Sequence, residues 1–272
     1  MLPFERVAHA AVARAGALIR ARYRERQEVS FKGEIDLVTA TDREAERLVV
    51  EAIAAAFPDH GIVAEESAPR PGRDGHRWYI DPLDGTTNFA HGYPHFCVSL
   101  ALARDDELLL GLVYDPVREE TFSALRGGGA RLNGAPIEVS DGHAFGRALL
   151  GTGFPYDRRV HADFYLAFVA EAMRRSQGVR RSGSAALDLC YVACGRLDAF
   201  WEWKLQPWDT AAGRLIVEEA GGRVSDFADR PHRLTGQETA ASNGHLHGAL
   251  LEMLAAVRED LAARPASSSP PG

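Results

Sequence analysis

Apolar positions along the chain recur at two spacings, and these separate predicted helices from predicted strands. From about Pro3 to Arg26 they recur every three to four residues between arginines and glutamates, which predicts an amphipathic helix. A second helix is predicted from near Asp42 to about Phe57, just before Pro58. Thr41 and Glu44 form a T-x-x-E capping box at its start. Two helices are therefore expected to open the chain.

Short apolar runs bounded by turn residues predict strands in the rest of the first half. Gly61 to Ala64 is such a run, and it ends at Glu65 and Glu66. The segment from Trp78 to Phe89 begins with β-prone residues and reaches a polar turn at Asp81. Three more runs, divided by short polar turns, predict an antiparallel meander: Phe96 to Ala103, Glu107 to Tyr114 and Glu120 to Leu125.

The second half alternates helical and extended patterns, which predicts stacked layers of sheet and helix. Its predicted elements are the strand Ala148 to Thr152, the helices His161 to Arg175 and Ser184 to Cys194, the strand Asp198 to Trp203, and the helices Pro207 to Ala220 and Leu246 to Arg264. We divide the chain into an amino-terminal α+β half, residues 1–145, and a carboxyl-terminal α/β half, residues 146–264. The tail, residues 265–272, is rich in Ser and Pro and is predicted to be disordered.

The composition is that of a globular chain able to bury a sizeable core, since 46% of its 272 residues are hydrophobic. A net charge of −7 argues against a direct nucleic-acid partner. Charged residues interrupt the apolar run at the amino terminus, so neither a signal peptide nor a membrane span is predicted. Cys97, Cys190 and Cys194 form no C-x-x-C, and we interpret them as small apolar residues in a reducing cytoplasm.

Asp81 and Asp84 leave the end of one predicted strand together and are followed by Gly85. Carboxylate oxygens at this spacing can chelate a hard cation such as Mg²⁺, and a glycine lets backbone N–H groups approach an anion. The same residues also suit an Asp/Gly turn without chemistry. A second strand that ends in a carboxylate, Glu65, favours the metal interpretation over the turn.

Four blocks, in order, carry a resemblance that spans Lys32 to Gly244. They are Asp36 to Asp42, Glu65-Glu66-Ser67, Asp81 to Phe89, and Gly183 through Trp208-Asp209-Thr210-Ala211-Ala212-Gly213 to Gly222. With these blocks the sequence resembles the inositol monophosphatase family of Mg²⁺-dependent, lithium-sensitive phosphatases, bacterial members included. The resemblance implies an α/β (α+β) fold, a layered αβαβα sandwich with mixed sheets like that of fructose-1,6-bisphosphatase, and a homodimer.

The resemblance also implies two to three Mg²⁺ ions. It assigns Glu65, Asp81 and the carbonyl of Leu83 to one ion. It assigns Asp81, Asp84 and Asp209 to a second, and a weaker third ion to Glu65 and water. Two cations about 3.5–4 Å apart can serve both the attacking and the leaving oxygen of an in-line displacement, which suits phosphate-ester hydrolysis.

Catalytic and substrate contacts are implied in the same way. Thr86 and Asp42 orient and deprotonate the attacking water, without a covalent enzyme intermediate. The backbone N–H groups of Gly85 and Thr86 face the phosphate if they begin a helix. Substrate hydroxyls are expected to meet Asp84, the backbone of Gly183, Ser184 and Ala185, and the carboxylate of Glu202.

The same residues can also have purely structural roles. Asp42 can be part of a helix cap, Asp209 can be an acid in the first turn of its helix, and Glu202 can face solvent. The four tryptophans are expected to pack in the core. None of the ten histidines lies in a recognised metal-binding spacing, so no histidine ligand is predicted.

The expected function is Mg²⁺-dependent hydrolysis of myo-inositol 1-phosphate, or a related polyol or sugar phosphate, to the free polyol and inorganic phosphate. Gly-Thr-Thr-Asn-Phe after Asp84 resembles the inositol phosphatase branch, whereas histidinol-phosphate phosphatases commonly have Gly-Thr-Lys. Ala64 replaces the glycine that usually precedes the two glutamates, which leaves closure of the site open. The alternatives are fructose-1,6-bisphosphatase or histidinol-phosphate phosphatase activity, and a factor that binds the transcription machinery.

Overall fold

The computed structural model describes residues 1–25, 29–31 and 37–263. Within them lie seven α-helices: α1 (Pro3–Arg22), α2 (Ala40–Ala56), α3 (Thr86–Ala90), α4 (Ala162–Arg175), α5 (Ala185–Ala193), α6 (Pro207–Glu219) and α7 (His247–Ala263). The strands of the first half are β1 (Val29–Phe31), β2 (Leu37–Thr39), β3 (Gly61–Ala64), β4 (His76–Asp84), β5 (Cys97–Arg104), β6 (Glu107–Asp115), β7 (Glu120–Leu125), β8 (Ala130–Leu132) and β9 (Ala135–Ile137). Those of the second half are β10 (Leu149–Thr152), β11 (Gly178–Arg180), β12 (Ala199–Trp203), β13 (Arg223–Ser225) and β14 (Glu238–Ser242).

The elements stack in five layers. A seven-stranded sheet has the order β3-β4-β5-β6-β7-β8-β9, and a five-stranded sheet has the order β11-β10-β12-β14-β13. Helices α1 and α2 pack on one face of the larger sheet, while α5 and α6 pack between the two sheets. Helices α4 and α7 cover the outer face of the smaller sheet. The predicted αβαβα sandwich with mixed sheets is therefore confirmed.

The parallel strands determine which loops lie next to one another. Strands β3 and β4 are parallel, and so are β10, β11 and β12. The carboxyl ends of parallel neighbours lie at the same edge of a sheet, so the loops that follow them lie side by side. In the larger sheet this edge carries Glu65, Asp81 and Asp84, and in the smaller sheet it carries Gly153, Arg181 and Lys204.

The start of the second helix differs from the prediction. The helix begins at Ala40, and its cap is Thr39, whose hydroxyl accepts the N–H groups of Thr41 and Asp42. Asp42 completes the capping box by accepting the N–H of Thr39 at 2.9 Å. The predicted box of Thr41 and Glu44 is wrong because a second threonine and acid at the same spacing come two residues earlier, where Thr39 still has the extended backbone that a cap requires.

Several further details depart from the sequence pattern. The first helix ends at Arg22 rather than Arg26, and β14, which lies inside the smaller sheet, was not predicted. Strand β14 reads Glu-Thr-Ala-Ala-Ser, whose small residues lack a strong β signal. Asp36 and the predicted disordered tail lie outside the described residues. The division at residue 145 stays a prediction, and the two sheets are separated between Ile137 and Leu149.

The three cysteines are unpaired, with Cys97 and Cys190 buried and Cys194 partly exposed. None of the described helices is both long enough and apolar enough to cross a membrane.

Candidate active site

A cavity of about 540 Å³ lies where the strand ends of the two sheets meet. Its lining includes every predicted metal and substrate residue: Glu65, Asp81, Leu83, Asp84, Gly85, Thr86, Gly183, Ser184, Ala185, Glu202 and Asp209. Asp42 lies behind this lining and contacts it through Thr86. The structure thus brings together residues that are separated by up to 167 positions in the chain, Asp42 and Asp209 being the extremes.

A β-bulge directs two carboxylates from one strand into this cavity. Side chains three positions apart in a regular strand point to opposite faces. In β4 the pairing with β5 shifts register between Asp81 and Asp84, so both carboxylates line the cavity. Asp81 Oδ1 accepts the N–H of Leu83 at 2.9 Å, which stabilises the bulge.

Asp84 joins the two halves of the chain. Its Oδ2 accepts the hydroxyl of Ser184 at 2.7 Å and the N–H of Ala186 at 2.8 Å. Burial raises the pKa of Asp84 to about 6, although these two hydrogen bonds favour its charged form. The sequence interpretation gave Ser184 only a backbone contact with substrate, whereas its side chain orients the Asp84 carboxylate.

The structure is compatible with both interpretations of Asp209, as an acid in the first turn of its helix and as a side chain of the metal site. It is the third residue of α6, and its Oδ2 accepts the N–H of Gln206 at 2.7 Å in a capping box. It also lines the cavity with Asp81 and Asp84. A cap that fixes one carboxylate oxygen leaves the other to face the cavity, so the two readings are compatible.

Asp42 likewise caps a helix and faces the site. Its Oδ2 accepts the N–H and the hydroxyl of Thr39, while its Oδ1 lies 2.9 Å from Thr86 Oγ1. The Thr86 hydroxyl is also 3.0 Å from the carbonyl oxygen of Leu83, and its single proton can be donated to one of the two. Burial raises the pKa of Asp42 to about 6.

Gly85 sits where only glycine fits. Its φ of +96° is left-handed, and an added Cβ would lie 2.9 Å from the carbonyl oxygen of His95. The residue follows β4 and precedes α3, so the backbone N–H groups of Gly85 and Thr86 lie at the start of that helix, beside the carboxylates.

Glu202 is buried, so the solvent-facing alternative is wrong. It lies in β12, and its carboxylate is packed so closely over Gly153 that any added Cβ there would collide with it. Burial raises the pKa of Glu202 to about 8. A carboxyl group in this position can offer both a donor and an acceptor to a ligand hydroxyl near neutral pH.

A model of the inositol monophosphatase family matches residues 1–262. The chain belongs to the inositol monophosphatase family. It is 47% identical over 252 residues to an inositol-1-monophosphatase of Synechocystis sp., covering 92% of this chain and 88% of the relative. It is 42% identical over 264 residues to the Nus factor SuhB of Escherichia coli, covering 96% of this chain and 98% of the relative. The solved inositol monophosphatase from Anabaena (Nostoc) superposes with a TM-score of 0.85 at 42% identity, covering 93% of this chain and 95% of that chain.

The resemblance inferred from the four motif blocks is thereby confirmed, and the protein is a member of a metal-dependent phosphatase family. The donor set fits a hard divalent cation, because it consists of carboxylates and the Leu83 carbonyl. Burial, followed by the negative charges of Glu65, Asp84 and Asp209, raises the pKa of Asp81 well above its usual value. Among the described residues, Asp81, Asp84 and Asp209 form no ion pair with Lys, Arg or His.

Part of the cavity wall of this inositol monophosphatase family member is not predicted by the motifs in the sequence. Among the residues of this part are Gly153, Phe154, Arg158, Arg181, Asp188 and Lys204. Two of them had a signal in the sequence, since Asp188 and Lys204 lie within the motif block that runs from Gly183 to Gly222. Arg158 and Arg181 had none, because they lie on the segments that follow the parallel strands β10 and β11.

One histidine cluster is brought together that the sequence did not indicate. Ligand atoms of His60, Asp74 and His76 lie within 4.8 Å of one another, where β3 and β4 begin. They are already hydrogen-bonded: Trp78 Nε1 donates to His60 Nδ1 at 3.0 Å, and His76 Nδ1 lies 3.0 Å from Asp74 Oδ2. Because His60 Nδ1 accepts the indole N–H, its other nitrogen carries the proton that faces Asp74. The prediction that no histidine is a ligand stays a prediction.

The tryptophans divide into two groups. Trp78 and Trp201 are fully buried, which confirms their predicted role in packing. Trp203 and Trp208 also line the cavity.

Proposed function

We propose that this protein is a Mg²⁺-dependent phosphomonoesterase that hydrolyses myo-inositol 1-phosphate or a related polyol phosphate to the polyol and inorganic phosphate. One observation carries the proposal: four acidic side chains line one wall of a cavity beside the hydrogen-bonded pair Thr86 and Asp42. The wall suits cations and a phosphate group, and the pair suits an attacking water molecule.

Two to three Mg²⁺ ions are proposed, with Glu65, Asp81 and the Leu83 carbonyl at one and Asp81, Asp84 and Asp209 at another. When bound, such ions supply a lowered pKa for water and neutralise charge on the leaving oxygen. The bulge in β4 and the hydrogen bonds from Ser184 and Ala186 hold the ligand oxygens in place beforehand. Binding the ions would therefore cost little side-chain conformational entropy.

Thr86 is proposed to orient the attacking water and Asp42 to accept its proton through the Thr86 hydroxyl. The bond between water oxygen and phosphorus forms as the bond from phosphorus to the polyol oxygen breaks, and the polyol oxygen takes up a proton. Asp42 suits this role because its second oxygen is held by Thr39 and its pKa of about 6 leaves it mostly ionised near neutral pH.

The substrate is proposed to lie across the cavity. Its phosphate is placed near the backbone N–H groups of Gly85 and Thr86, which lie at the start of α3 in the cavity lining. Its hydroxyl groups are placed against Asp84, Glu202 and the backbone of Gly183, Ser184 and Ala185. Because the Ser184 hydroxyl is already donated to Asp84, only the backbone of this residue is assigned to substrate.

A panel of phosphate esters tests this proposal. Purified protein with Mg²⁺ is expected to hydrolyse inositol 1-phosphate with a higher kcat/KM than histidinol phosphate or fructose 1,6-bisphosphate, the two alternative substrates. A folded protein that releases phosphate from none of the polyol and sugar phosphates would contradict it.

Metal removal is expected to change stability in a pH-dependent way. The raised pKa values of Asp81, Asp84 and Asp209 mean that the folded, metal-free protein binds more protons than the unfolded chain. Its stability therefore falls as pH rises from about 4 through 6 and beyond. Mg²⁺ at about 100 times its Kd is expected to raise Tm by about 5–10 °C at pH 8, and by less at pH 5.5.

Differential scanning calorimetry at matched ionic strength measures this difference, with Na⁺ replacing Mg²⁺ as the control. Asp84→Asn is expected to raise the Tm of the metal-free protein at pH 8, because it removes one of the mutually repelling charges. An equal Mg²⁺ effect at both pH values would show that these carboxylates do not bind the ion.

We further propose that two copies associate, as the family resemblance implies. Val160, Leu166 and Met173 expose 80%, 52% and 67% of their surface, and the last two lie seven residues apart on one face of α4. Light scattering after size exclusion is expected to give twice the 29.6 kDa of the chain. The double variant Leu166→Glu, Met173→Glu is expected to give one chain mass. A wild-type monomer at tens of micromolar would contradict this proposal.

A second candidate function is an interaction with the transcription machinery, because relatives named Nus factor SuhB are 42% identical to this chain. We place the protein in the cytoplasm, where its three free thiols stay reduced. We assign it no direct contact with nucleic acid because of its net charge of −7. If cells that carry Asp84→Asn keep a phenotype that deletion of the whole protein abolishes, the interaction role is favoured.

A further inference from the structure

Lys204, the first residue after β12, has a backbone conformation that lysine rarely adopts. Its φ is +59°, in the left-handed region that favours glycine. The described residues include six other non-glycine residues with positive φ, and none of those six lines the cavity, whereas Lys204 does. Strained backbone of this kind is often found at functional sites. A glycine could form the same turn without strain, so the lysine side chain needs an explanation of its own.

The ammonium group of Lys204 is paired with a loop of the cavity wall. We call residues 153–158 the β10 loop; they follow β10, and all six of them line the cavity. Lys204 Nζ lies 3.0 Å from Asp157 Oδ2 in this loop. The backbone N–H of Lys204 donates to the carbonyl oxygen of Gln237 at 2.8 Å, just before β14, so the lysine backbone is itself held in place. Lys204 thus connects the end of β12 to the β10 loop.

Asp157 is held from two sides. Its Oδ2 accepts a hydrogen bond from Lys204, and its Oδ1 accepts the hydroxyl of the buried Tyr165 of α4 at 2.9 Å. Burial by itself would raise the pKa of Asp157, but the hydrogen bonds from Lys204 and Tyr165 outweigh it and lower this pKa. The carboxylate is therefore ionised at neutral pH, and its hydrogen bond to the ammonium is charge-assisted. Both side chains of the pair are partly exposed, so we expect it to affect the position of the loop more than the overall stability.

We infer that Lys204 is a positioning residue that holds the β10 loop in the cavity wall, beside the place assigned to the hydroxyl groups of the substrate. The loop begins at Gly153, over which the Glu202 carboxylate is packed, so a shift of the loop would change the space around Glu202. The acids Asp81 and Asp84 belong to the larger sheet and do not depend on this loop. A displaced loop is therefore expected to weaken polyol binding more than the chemical step. This inference rests on the proposed function and deepens it, because it names a residue that sets the affinity for the polyol.

Substitutions of Lys204 and Asp157 test the ion pair by kinetics. Lys204→Gly removes the ammonium and the strain together, and it is expected to raise KM for inositol 1-phosphate about three- to tenfold while kcat changes by less than about twofold. Lys204→Arg keeps a cation and is expected to keep KM within about twofold of wild type. Asp157→Asn should raise KM as Lys204→Gly does, and the double variant should raise it no further, because both changes remove the same ion pair.

The exposed turn between β5 and β6 offers a matched control. Asp106 has a φ of +72° and does not line the cavity, so Asp106→Gly relieves the same kind of backbone strain elsewhere in the chain. This variant is expected to leave KM for inositol 1-phosphate unchanged.

Limited digestion with trypsin measures the position of the β10 loop without using catalysis. Arg158 lies at the end of the loop and Arg159 directly follows it. Cleavage at these residues is expected to be about threefold or more faster in Lys204→Gly than in wild type, because the loop opens more often. The Tm of this variant is expected to stay within about 3 °C of wild type, since the relieved strain offsets the lost ion pair. Faster cleavage well below that Tm then reports on the loop rather than on global unfolding.

The two readouts distinguish failure of this inference from failure of the proposed function. A wild-type KM in Lys204→Gly, or an unchanged rate of cleavage, would overturn the inference, while turnover of inositol 1-phosphate still supports the phosphatase assignment. If no ester is hydrolysed, the proposed function fails, and calorimetric titration with inositol 1-phosphate and Mg²⁺ decides the inference together with the cleavage rate. A Kd that Lys204→Gly raises about threefold or more supports the positioning role, and an unchanged Kd or the absence of binding rejects it.

Discussion

Replacing Asp84 with asparagine is expected to lower Mg²⁺-dependent phosphate release by about 10³-fold or more, while the protein stays folded. The carboxylate lies on the cavity wall with Asp81 and Asp209, where a loss of negative charge weakens cation binding directly. The fold should survive because an amide oxygen can still accept the hydroxyl of Ser184 and the N–H of Ala186. Steady-state kinetics at saturating Mg²⁺, with circular dichroism, measure both parts of this expectation.

The exposed acid Asp163, in the first turn of α4, offers a matched control. Asp163→Asn makes the same chemical change at a residue that does not line the cavity and is expected to keep wild-type kcat. Activity of Asp84→Asn within tenfold of wild type would mean that this carboxylate is not a metal ligand needed for turnover.

Removing the Thr86 hydroxyl is expected to lower kcat by 10²–10⁴-fold with a smaller change in KM, the range typical of a lost general base. The hydroxyl lies 2.9 Å from Asp42 Oδ1, so Thr86→Ala disconnects Asp42 from the cavity. Thr86→Ser keeps the hydroxyl and is expected to restore most of the activity. Asp42→Asn should cause a loss of similar size, because the two residues act as one unit.

The double variant Thr86→Ala, Asp42→Asn separates a shared role from two independent ones. Its kcat is expected to match that of either single variant, since groups that act together are strongly non-additive. If the losses multiply instead, Thr86 and Asp42 contribute separately. A thermal melt of each variant is needed beside the kinetics, because Asp42 also caps α2 and a lost cap costs about 1 kcal/mol of stability.

Most of the layered fold follows from local patterns in the sequence. The edges of β5, β6 and β7 lie within a residue or so of the apolar runs that predict them, because polar turns divide those runs clearly. Helix α6 begins at Pro207, where a proline and an acid in the first turn both favour a helix start. Strand β14 was missed because alanines and serines acquire an extended conformation here from their neighbours β12 and β13.

The candidate site was predictable to the extent that its residues are acids at strand ends or in motif blocks. Glu65, Asp81 and Asp84 belong to this group. Contacts between distant segments were not predictable, because no local pattern indicates that Ser184 donates to Asp84 across 100 positions. The positions of Arg158 and Arg181 likewise depend on the parallel arrangement of β10, β11 and β12, which a single sequence does not specify.

The rate of inorganic phosphate release from myo-inositol 1-phosphate by the purified protein, with Mg²⁺ and with excess chelator, tests the central claim most directly. Turnover with Mg²⁺ is expected in the range of about 1–10³ per second that is typical of enzymes. Chelation of the metal is expected to abolish turnover, and adding Mg²⁺ back is expected to restore it. Release that continues undiminished in chelator, or none under either condition from a folded protein, would contradict the assignment of the carboxylate wall to Mg²⁺-dependent phosphate-ester hydrolysis.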